Sequence, residues 1–554
     1  MDGRVKPSLA RSPLPNPPVL RHNRGQQHNR EAEEALSYLQ QEPTTGTQTL
    51  RTLRRYPDRI AFATEVARIT YAHVANVIGQ LQHVLAGLNL PRGAGVAVLT
   101  ANRWETWCCS VAAQALALRT TPLHPLGSVD DHLDQLADAE IQVLIVDAVS
   151  YAARGGELKA RAGLAHVFAL GAAADFGPDI MQLAAAAGSV TAKDLARPDD
   201  ACVLGFTGGT TGKSKGVLRS HSAASAITAA VLSDFELPQA PSYLAVAPIS
   251  HVAGTKVLPT LIRGGTVHLM KSFDPEKVLA TIARERINFT LFVPTMVYVL
   301  LDHPKLDATD LSSLELVLYG ASPMSPTRLL EGLERIGPVF SQLYGQSECY
   351  PISVLRKADH DRASPELFAA CGTPVAGCSV VLLDEEGREV PQGEAGEICV
   401  RAPQVMDTYW KRPEQTEAAF KGGWLHTGDV ARADERGYLY IVDRKKDMIV
   451  TGGFNVFPRE VEDALTSHPG VAMAAVIGVP DEKWGEAVTA LIVRRPGAEV
   501  SGEELIALVK SRKGSTQAPK QVEFLDELPT TAVGKVDKKV LRARYWAGQQ
   551  RMVG

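Results

Sequence analysis

No two cysteines in this 554-residue chain have CxxC spacing, and the seven present are scattered at positions 108, 109, 202, 349, 371, 378 and 399. An odd, dispersed set excludes a disulfide scaffold and suggests reduced thiols in a cytoplasmic compartment, with no zinc site. No apolar run approaches the length of a membrane span. Nor is there a concentrated basic stripe, and the net charge of -4 argues against a general nucleic-acid binder. Internal repeats are absent. The first thirty residues lack the apolar core of a secretory signal. What remains is ordinary for a globular protein, at 45% hydrophobic and 22% charged residues, and the length calls for more than one domain.

The N-terminus stands apart. Arg4, Lys6, Arg11, Arg21, Arg24 and Arg30 alternate with prolines at 7, 13, 15, 17 and 18. The prolines oppose an amphipathic transit helix. We expect residues 1–45 to be a basic, proline-rich tail without fixed structure. Weak contact with an acidic partner or a membrane surface is the alternative reading.

From about Thr49 the pattern becomes regular. Apolar strand candidates at 95–100, 142–147, 201–206, 243–247, 266–270, 289–293, 314–318 and 339–343 alternate with helical patterns. The sequence Asp274-Pro275-Glu276 is a helix start, with an N-cap, a proline in the first turn and an acid behind it. Such alternation predicts an α/β fold of parallel, helix-covered sheets. Past Cys371 the runs 379–383 and 397–401 flank glycine-containing turns, DEEGRE and QGEAGE, which predicts antiparallel hairpins and a β-rich subdomain. After Asp443 a helix, two strands, a helix and a strand predict a small α+β C-terminal domain. The charged run Asp443-Arg444-Lys445-Lys446-Asp447 reads as a solvated hinge. The expected domains are therefore 46–442 and 443–554.

Six stretches carry chemistry. Thr207-Gly208-Gly209-Thr210-Thr211-Gly212-Lys213-Ser214-Lys215-Gly216 follows a strand. Its glycines let backbone N–H groups approach a polyphosphate, and its lysines add charge. It is not a Walker A loop, because Thr207 stands where that pattern needs glycine. Tyr319-Gly320-Ala321-Ser322 and Tyr344-Gly345-Gln346-Ser347-Glu348 also lie at strand ends, where open α/β sheets bind ligands. Their small residues suit a flat base, Tyr344 a purine face, Ser347 a phosphate oxygen and Glu348 a magnesium ion. Gly423-Trp424-Leu425-His426-Thr427-Gly428-Asp429 offers Asp429 to ribose hydroxyls. Arg444 to Pro458 contains Gly452-Gly453-Phe454, and Pro529 to Lys535 ends a Gly/Thr loop on a lysine. Taken singly, each is also compatible with a polar loop or a surface charge.

In this order and spacing, the chain resembles the adenylate-forming superfamily of acyl- and aryl-CoA synthetases, luciferases and peptide-synthetase adenylation domains. The segments TGGTTGKSKG, YGQSE, GWLHTGD, DRKKDMIVTGGFNVFPREVE and PTTAVGK carry the resemblance, which spans about Thr49 to Leu541. It implies ATP-dependent formation of an acyl-adenylate and pyrophosphate, then transfer of the acyl group to coenzyme A, with Mg2+ assisting. It further implies that Lys535 bridges carboxylate and α-phosphate. Residues 207–216 would close over the β- and γ-phosphates. Gly320, Ala321, Ser322 and Tyr344 would frame adenine, and Asp429 and Arg444 would take the ribose. Asp443 would be the hinge about which the C-terminal domain turns, exchanging Lys535 for Gly452, Gly453 and Phe454 along the pantetheine path. The chain departs from the commonest pattern at Gly208, Ser214, Ser347 and Gln342, where serine, proline, threonine and asparagine are usual. A loop working through backbone N–H groups tolerates the first two, and Ser347 keeps a hydroxyl.

The acyl pocket is expected around Pro248-Ile249-Ser250-His251-Val252-Ala253-Gly254-Thr255, with Met296 and Tyr350. His251 matches a histidine lining the acyl site in the family, and we assign catalytic roles to His251, Ser347 and Lys535. A buried core histidine is the bland alternative for His251. No aspartate stands in this stretch to hold a substrate ammonium, so amino acids are disfavoured. The small apolar run suits a fatty or other apolar acid. An aryl-CoA ligase, or an acyl-AMP ligase loading an acyl carrier protein, are the alternatives. The N-terminal-domain insertion that marks carrier-loading ligases has no obvious counterpart here.

Overall fold

The computed structural model describes residues 43–207, 214–322, 324–444, 447–451, 454–481, 484–531 and 535–546. The expected tail lies outside them up to residue 42. Its expected end at 45 moves back, because the first helix already runs Thr45–Arg55, capped by the Thr44 hydroxyl accepting the Thr47 N–H at 3.0 Å. Similar local chemistry starts other helices. Ser128 and Asp131 form a reciprocal capping box for Val129–Asp138. Asp274 caps Pro275–Glu285 as its sequence predicted.

Two large sheets carry the body. In the first, strands Phe340–Tyr344, Leu316–Gly320, Phe289–Phe292, Ser242–Ala245, Thr266–Leu269 and Ile60–Ala63 run parallel in that spatial order, with short antiparallel strands at both edges. In the second, Ala201–Phe206, Arg119–Pro122, Gly95–Leu99, Ile141–Asp147 and His166–Leu170 are parallel, and Gly216–Ser220 folds back antiparallel on the first of them. Helices Tyr71–Ala86, Trp104–Ala115 and His221–Asp234 lie between the sheets. Their Ile78, Cys109 and Val231 share one core with Phe62, Tyr243 and Phe289 of the first sheet and Val96 and Ile145 of the second. Each such fully buried large apolar side chain contributes roughly 1.5–3 kcal/mol. Because the strands are buried on both faces, they read in sequence as continuous apolar runs.

Strands Ser379–Leu383, Gly396–Arg401, Leu425–Ala433 and Leu439–Arg444 make the antiparallel third sheet, as the turn signals predicted. A fourth sheet joins Phe454–Val456, Ile449–Thr451, Gly485–Arg494 and Val471–Asp481, with Gln521–Phe524 parallel to Gly485–Arg494. Helices Pro458–Thr466 and Gly502–Lys513 pack on it through Val461, Leu465, Leu505 and Val509. Asp443, the expected hinge, is part of a strand. It pairs with Val430 inside the third sheet rather than standing in a solvated loop. Among the described residues, no helix is long and apolar enough to cross a membrane.

Candidate active site

The parallel strands of both sheets direct their carboxyl ends to one cavity of about 2970 Å³. That is several times the roughly 300–1,000 Å³ of a single-ligand pocket, so it has room for more than one substrate. Thr207, Ala321, Ser322, Tyr344, Gly345, Gln346, Ser347, Glu348, Asp429 and Lys535 all line it, as do His251, Val252, Gly254, Met296 and Tyr350. Residues more than three hundred positions apart in sequence thus share one hollow.

On its polar side, the Tyr344 hydroxyl donates to Asp429 Oδ2 at 2.7 Å. Burial first, and the Asp429 carboxylate second, push the Tyr344 phenol well above its ordinary range, so it remains a donor. The Gln346 amide donates to the Thr427 carbonyl at 3.2 Å, tying the YGQSE and GWLHTGD segments together again. Asp429 and Arg444 are direct cross-strand partners. Glu348 Oε1 accepts the Tyr409 hydroxyl at 2.7 Å, and the Arg219 guanidinium donates to the Ser347 carbonyl. The Lys215 ammonium sits 4.8 Å from the Tyr409 ring centre. Thr207 and Lys215 pin the two ends of the Gly/Thr loop: the Thr207 N–H donates to the Lys215 carbonyl at 3.0 Å, and the Lys215 N–H to the Thr207 hydroxyl at 3.2 Å. Thr531 clasps Lys535 in the same way, through its N–H to the Lys535 carbonyl at 2.7 Å and its hydroxyl to the Lys535 N–H at 3.2 Å.

Elsewhere the lining is apolar, with Trp107, Val111, Ile227, Val252 and Leu258. The His251 ring meets His124 edge-on at 4.4 Å. Burial, aided by His124, lowers His251 to about 4, so its imidazole is neutral near neutral pH. Its Nδ1 lies 2.8 Å from the Ser250 hydroxyl. Beneath this loop Lys256 is fully buried. Its amine bonds the Tyr350 hydroxyl and donates to the Thr255 hydroxyl at 2.9 Å.

The chain matches the family described as AMP-binding enzyme over residues 50–410, and the AMP-binding enzyme C-terminal domain over 460–535. The chain belongs to the AMP-binding enzymes. It is 45% identical over 518 residues to the medium/long-chain-fatty-acid–CoA ligase FadD8 of Mycobacterium tuberculosis, covering 91% of this chain and 90% of that protein. It is 37% identical to the feruloyl-CoA synthase of an Amycolatopsis species, covering 90% of this chain and 99% of that one. Among solved structures, the amide bond synthetase McbA from Marinactinospora thermotolerans superposes with a TM-score of 0.84 at 36% identity, covering 90% of this chain and all of that one. The resemblance to the adenylate-forming superfamily is thereby borne out.

Not every expected residue of this AMP-binding enzyme lines the cavity. Ala253 is buried, and its carbonyl accepts the Tyr243 hydroxyl at 3.1 Å, away from the hollow. Gly320 also lies behind the lining. A Cβ there would come within 2.3 Å of the Leu343 carbonyl oxygen, so its glycine serves strand packing. Ala321 beside it turns the chain with φ 66°. Residues 208–213, and Gly452 and Gly453, lie outside the described residues, as do the side chains of Asp443, Arg444 and Phe454.

Sequence reasoning missed four residues. Tyr409 and Arg219 brace the Glu348 loop from 61 and 128 positions away. His124 adds to the burial that lowers His251. Asn102 joins the two large sheets: its amide donates to the Ala247 and Met270 carbonyls at 3.0 Å each, and its Oδ1 accepts the Ile249 N–H at 2.8 Å. Asn102 stands three residues past the strand Gly95–Leu99, and that position was the only available signal.

Proposed function

We propose that this AMP-binding enzyme activates a medium- or long-chain fatty acid with ATP and passes the acyl group to coenzyme A, releasing AMP and pyrophosphate. The observation that carries this reading is the continuity of one large hollow, from the Tyr344–Asp429 pair to the apolar wall of Trp107, Ile227 and Leu258. The fatty-acid–CoA ligase named above, similar over nine-tenths of the chain, supports the substrate class.

In this mechanism Asp429 and Arg444 bind the ribose, and Ala321, Ser322 and Tyr344 flank the adenine. Residues 207–216 hold the β- and γ-phosphates. The Lys535 ammonium screens carboxylate from α-phosphate as they join, a preorganised charge at the place where charge develops. Ser347 offers its hydroxyl to a phosphate oxygen. The neutral His251 orients the acyl carboxylate without competing for its charge. Glu348, a carboxylate on the cavity wall steadied by Tyr409, suits Mg2+, which takes one or two carboxylates together with substrate phosphates. When bound, the ion would neutralise the phosphates. The units 46–442 and 443–554 would pivot at Asp443, at the end of its strand, bringing Gly452, Gly453 and Phe454 to the pantetheine arm for thioester formation.

An aryl acid is the second reading, favoured by the feruloyl-CoA synthase similarity. Hydroxamate trapping with medium-chain, long-chain and aryl acids separates the two, and repeating it with coenzyme A or an acyl carrier protein identifies the acceptor. Turnover confined to aryl acids, or thioester formed only on the carrier, would replace the leading reading.

A further inference from the structure

Outside the cavity lining, Glu397, Cys399 and His426 bring a carboxylate, a thiol and an imidazole together, with their ligand atoms all within 4.8 Å of one another. The antiparallel pairing of strands Gly396–Arg401 and Leu425–Ala433 explains why. Glu397 and Cys399 are two apart and share a face, and Cys399 stands directly opposite His426. Cys399 Sγ is 3.4 Å from His426 Nδ1, and Glu397 Oε2 is 3.1 Å from the same nitrogen.

The hydrogen bonds around this trio fix its chemistry. His426 Nε2 lies 3.1 Å from the Lys421 carbonyl, an acceptor, so Nε2 carries the proton. In the neutral ring, Nδ1 then presents a lone pair to a carboxylate oxygen and to sulfur. That lone pair facing a carboxylate oxygen and a sulfur is accommodated either by a proton on the ring, the thiol or the carboxyl, or by a metal ion that all three atoms ligate. The outer contacts match those of a metal centre: a ligating histidine donates its other N–H to a carbonyl, and a ligating carboxylate is itself hydrogen-bonded. Here Glu397 Oε1 accepts the Gly428 N–H at 2.9 Å.

We propose that Glu397, Cys399 and His426 bind a divalent zinc-class metal ion. Sulfur, nitrogen and oxygen ligands at roughly 2.3, 2.0 and 2.1 Å would give tetrahedral edges of about 3.3–3.6 Å, close to the two spacings found. Cys399 is fully buried, while the Glu397 and His426 side chains retain 14% and 19% exposure. Exposure on that side leaves an entry path and a fourth position for water. Cysteine spacing alone does not register such a site, because strand pairing supplies the histidine 27 positions beyond the thiol. Through Glu397 and Gly428 the ion would stiffen the strand segment that presents Asp429.

The test uses the untagged full chain, stripped with a chelator. Added Co2+ should give a thiolate-to-metal charge-transfer band that saturates at one equivalent and is displaced by Zn2+. Cys399→Ser and His426→Gln should abolish it, and Glu397→Gln should shift its midpoint by about tenfold or more. X-ray absorption of the Zn2+-loaded wild-type chain needs no variant and should show one sulfur among nitrogen and oxygen neighbours. A wild-type zinc shell without sulfur, or an undiminished Co2+ band in folded Cys399→Ser, would overturn the proposal, as would absence of any band. Those results would leave the trio held together by protons alone.

Discussion

Tyr344 and Asp429 join two parts of the nucleotide side that are 85 positions apart, hydroxyl to carboxylate at 2.7 Å. One residue ends a strand of the first large sheet, and the other lies within a strand of the third. Tyr344→Phe keeps the ring against the base but releases the carboxylate. A hydrogen bond to a charged group contributes about 1.5–3 kcal/mol. The expected outcome is a roughly tenfold rise in the KM for ATP with kcat little changed, since the contact serves bound substrate and transition state alike. An unaltered KM would separate Asp429 from nucleotide binding.

Lys535→Ala should act on one half-reaction only. Removing a preorganised charge typically costs about 10²–10³ in rate, so acid-dependent pyrophosphate exchange should fall by that factor. Thioester formation from supplied acyl-adenylate should survive, because the lysine withdraws before that step in the proposed cycle. An equal loss in both assays would contradict the assignment.

His251 gives a pH signature. Its ordinary value of 6.5 falls to about 4 in the folded chain. Between those values the unfolded chain takes up a proton that the folded one refuses. The stabilisation is full above pH 6.5 and is lost as pH falls towards 4, by about 3 kcal/mol for this group. Denaturant unfolding of His251→Gln should show a shallower acid-side decline than wild type. No His251 ionisation should appear in the rate profile above pH 6.5.

Lys256 carries the same logic to the alkaline side. Burial holds its amine well below 10.5, although the Tyr350 and Phe235 rings lie 4.4 and 5.3 Å away and favour a cation. Desolvation of a fully enclosed ammonium outweighs two ring faces. A depressed folded value means that stability rises with pH up to the unfolded value of 10.5. Lys256→Met has no proton to lose, so wild type should gain on this variant as pH rises towards 10.5. Parallel unfolding curves across that interval would show that Lys256 is charged in the fold.

Much of this architecture is legible in local sequence. The run Ile141–Asp147 is apolar because it is covered on both faces. The chemistry-bearing loops stand out because glycine and hydroxyl residues interrupt such runs. Boundaries slipped where a turn persisted: the strand expected at 314–318 begins at Leu316, since the Leu314 N–H still closes a turn on Leu311. The supports of the site were illegible for another reason. Asn102 reaches Ile249, and Tyr409 reaches Glu348, only because two sheets fold against each other, and no periodicity within either segment records that.

Gly320 and Ala321 test whether the strand-end turn is built by packing or by backbone conformation. A Cβ on Gly320 would lie 2.3 Å from the Leu343 carbonyl oxygen and 2.7 Å from Leu343 Cδ1. The oxygen belongs to the neighbouring strand and cannot rotate away. Gly320→Ala must therefore spread two central strands, and overpacking of this kind costs about 1–3 kcal/mol or more. Displacement of Ala321 and Ser322 should weaken AMP binding in the same variant. Ala321→Gly has the opposite sign locally. At φ 66° an L side chain is strained by about 1–2 kcal/mol, which glycine relieves at roughly 0.5–1 kcal/mol of added chain entropy. Thermal unfolding with AMP titration should find Gly320→Ala clearly destabilised and weak in binding, and Ala321→Gly within about 1 kcal/mol of wild type. If the two variants fell equally, left-handed geometry at Ala321, not the Leu343 contact, would be what sets the turn.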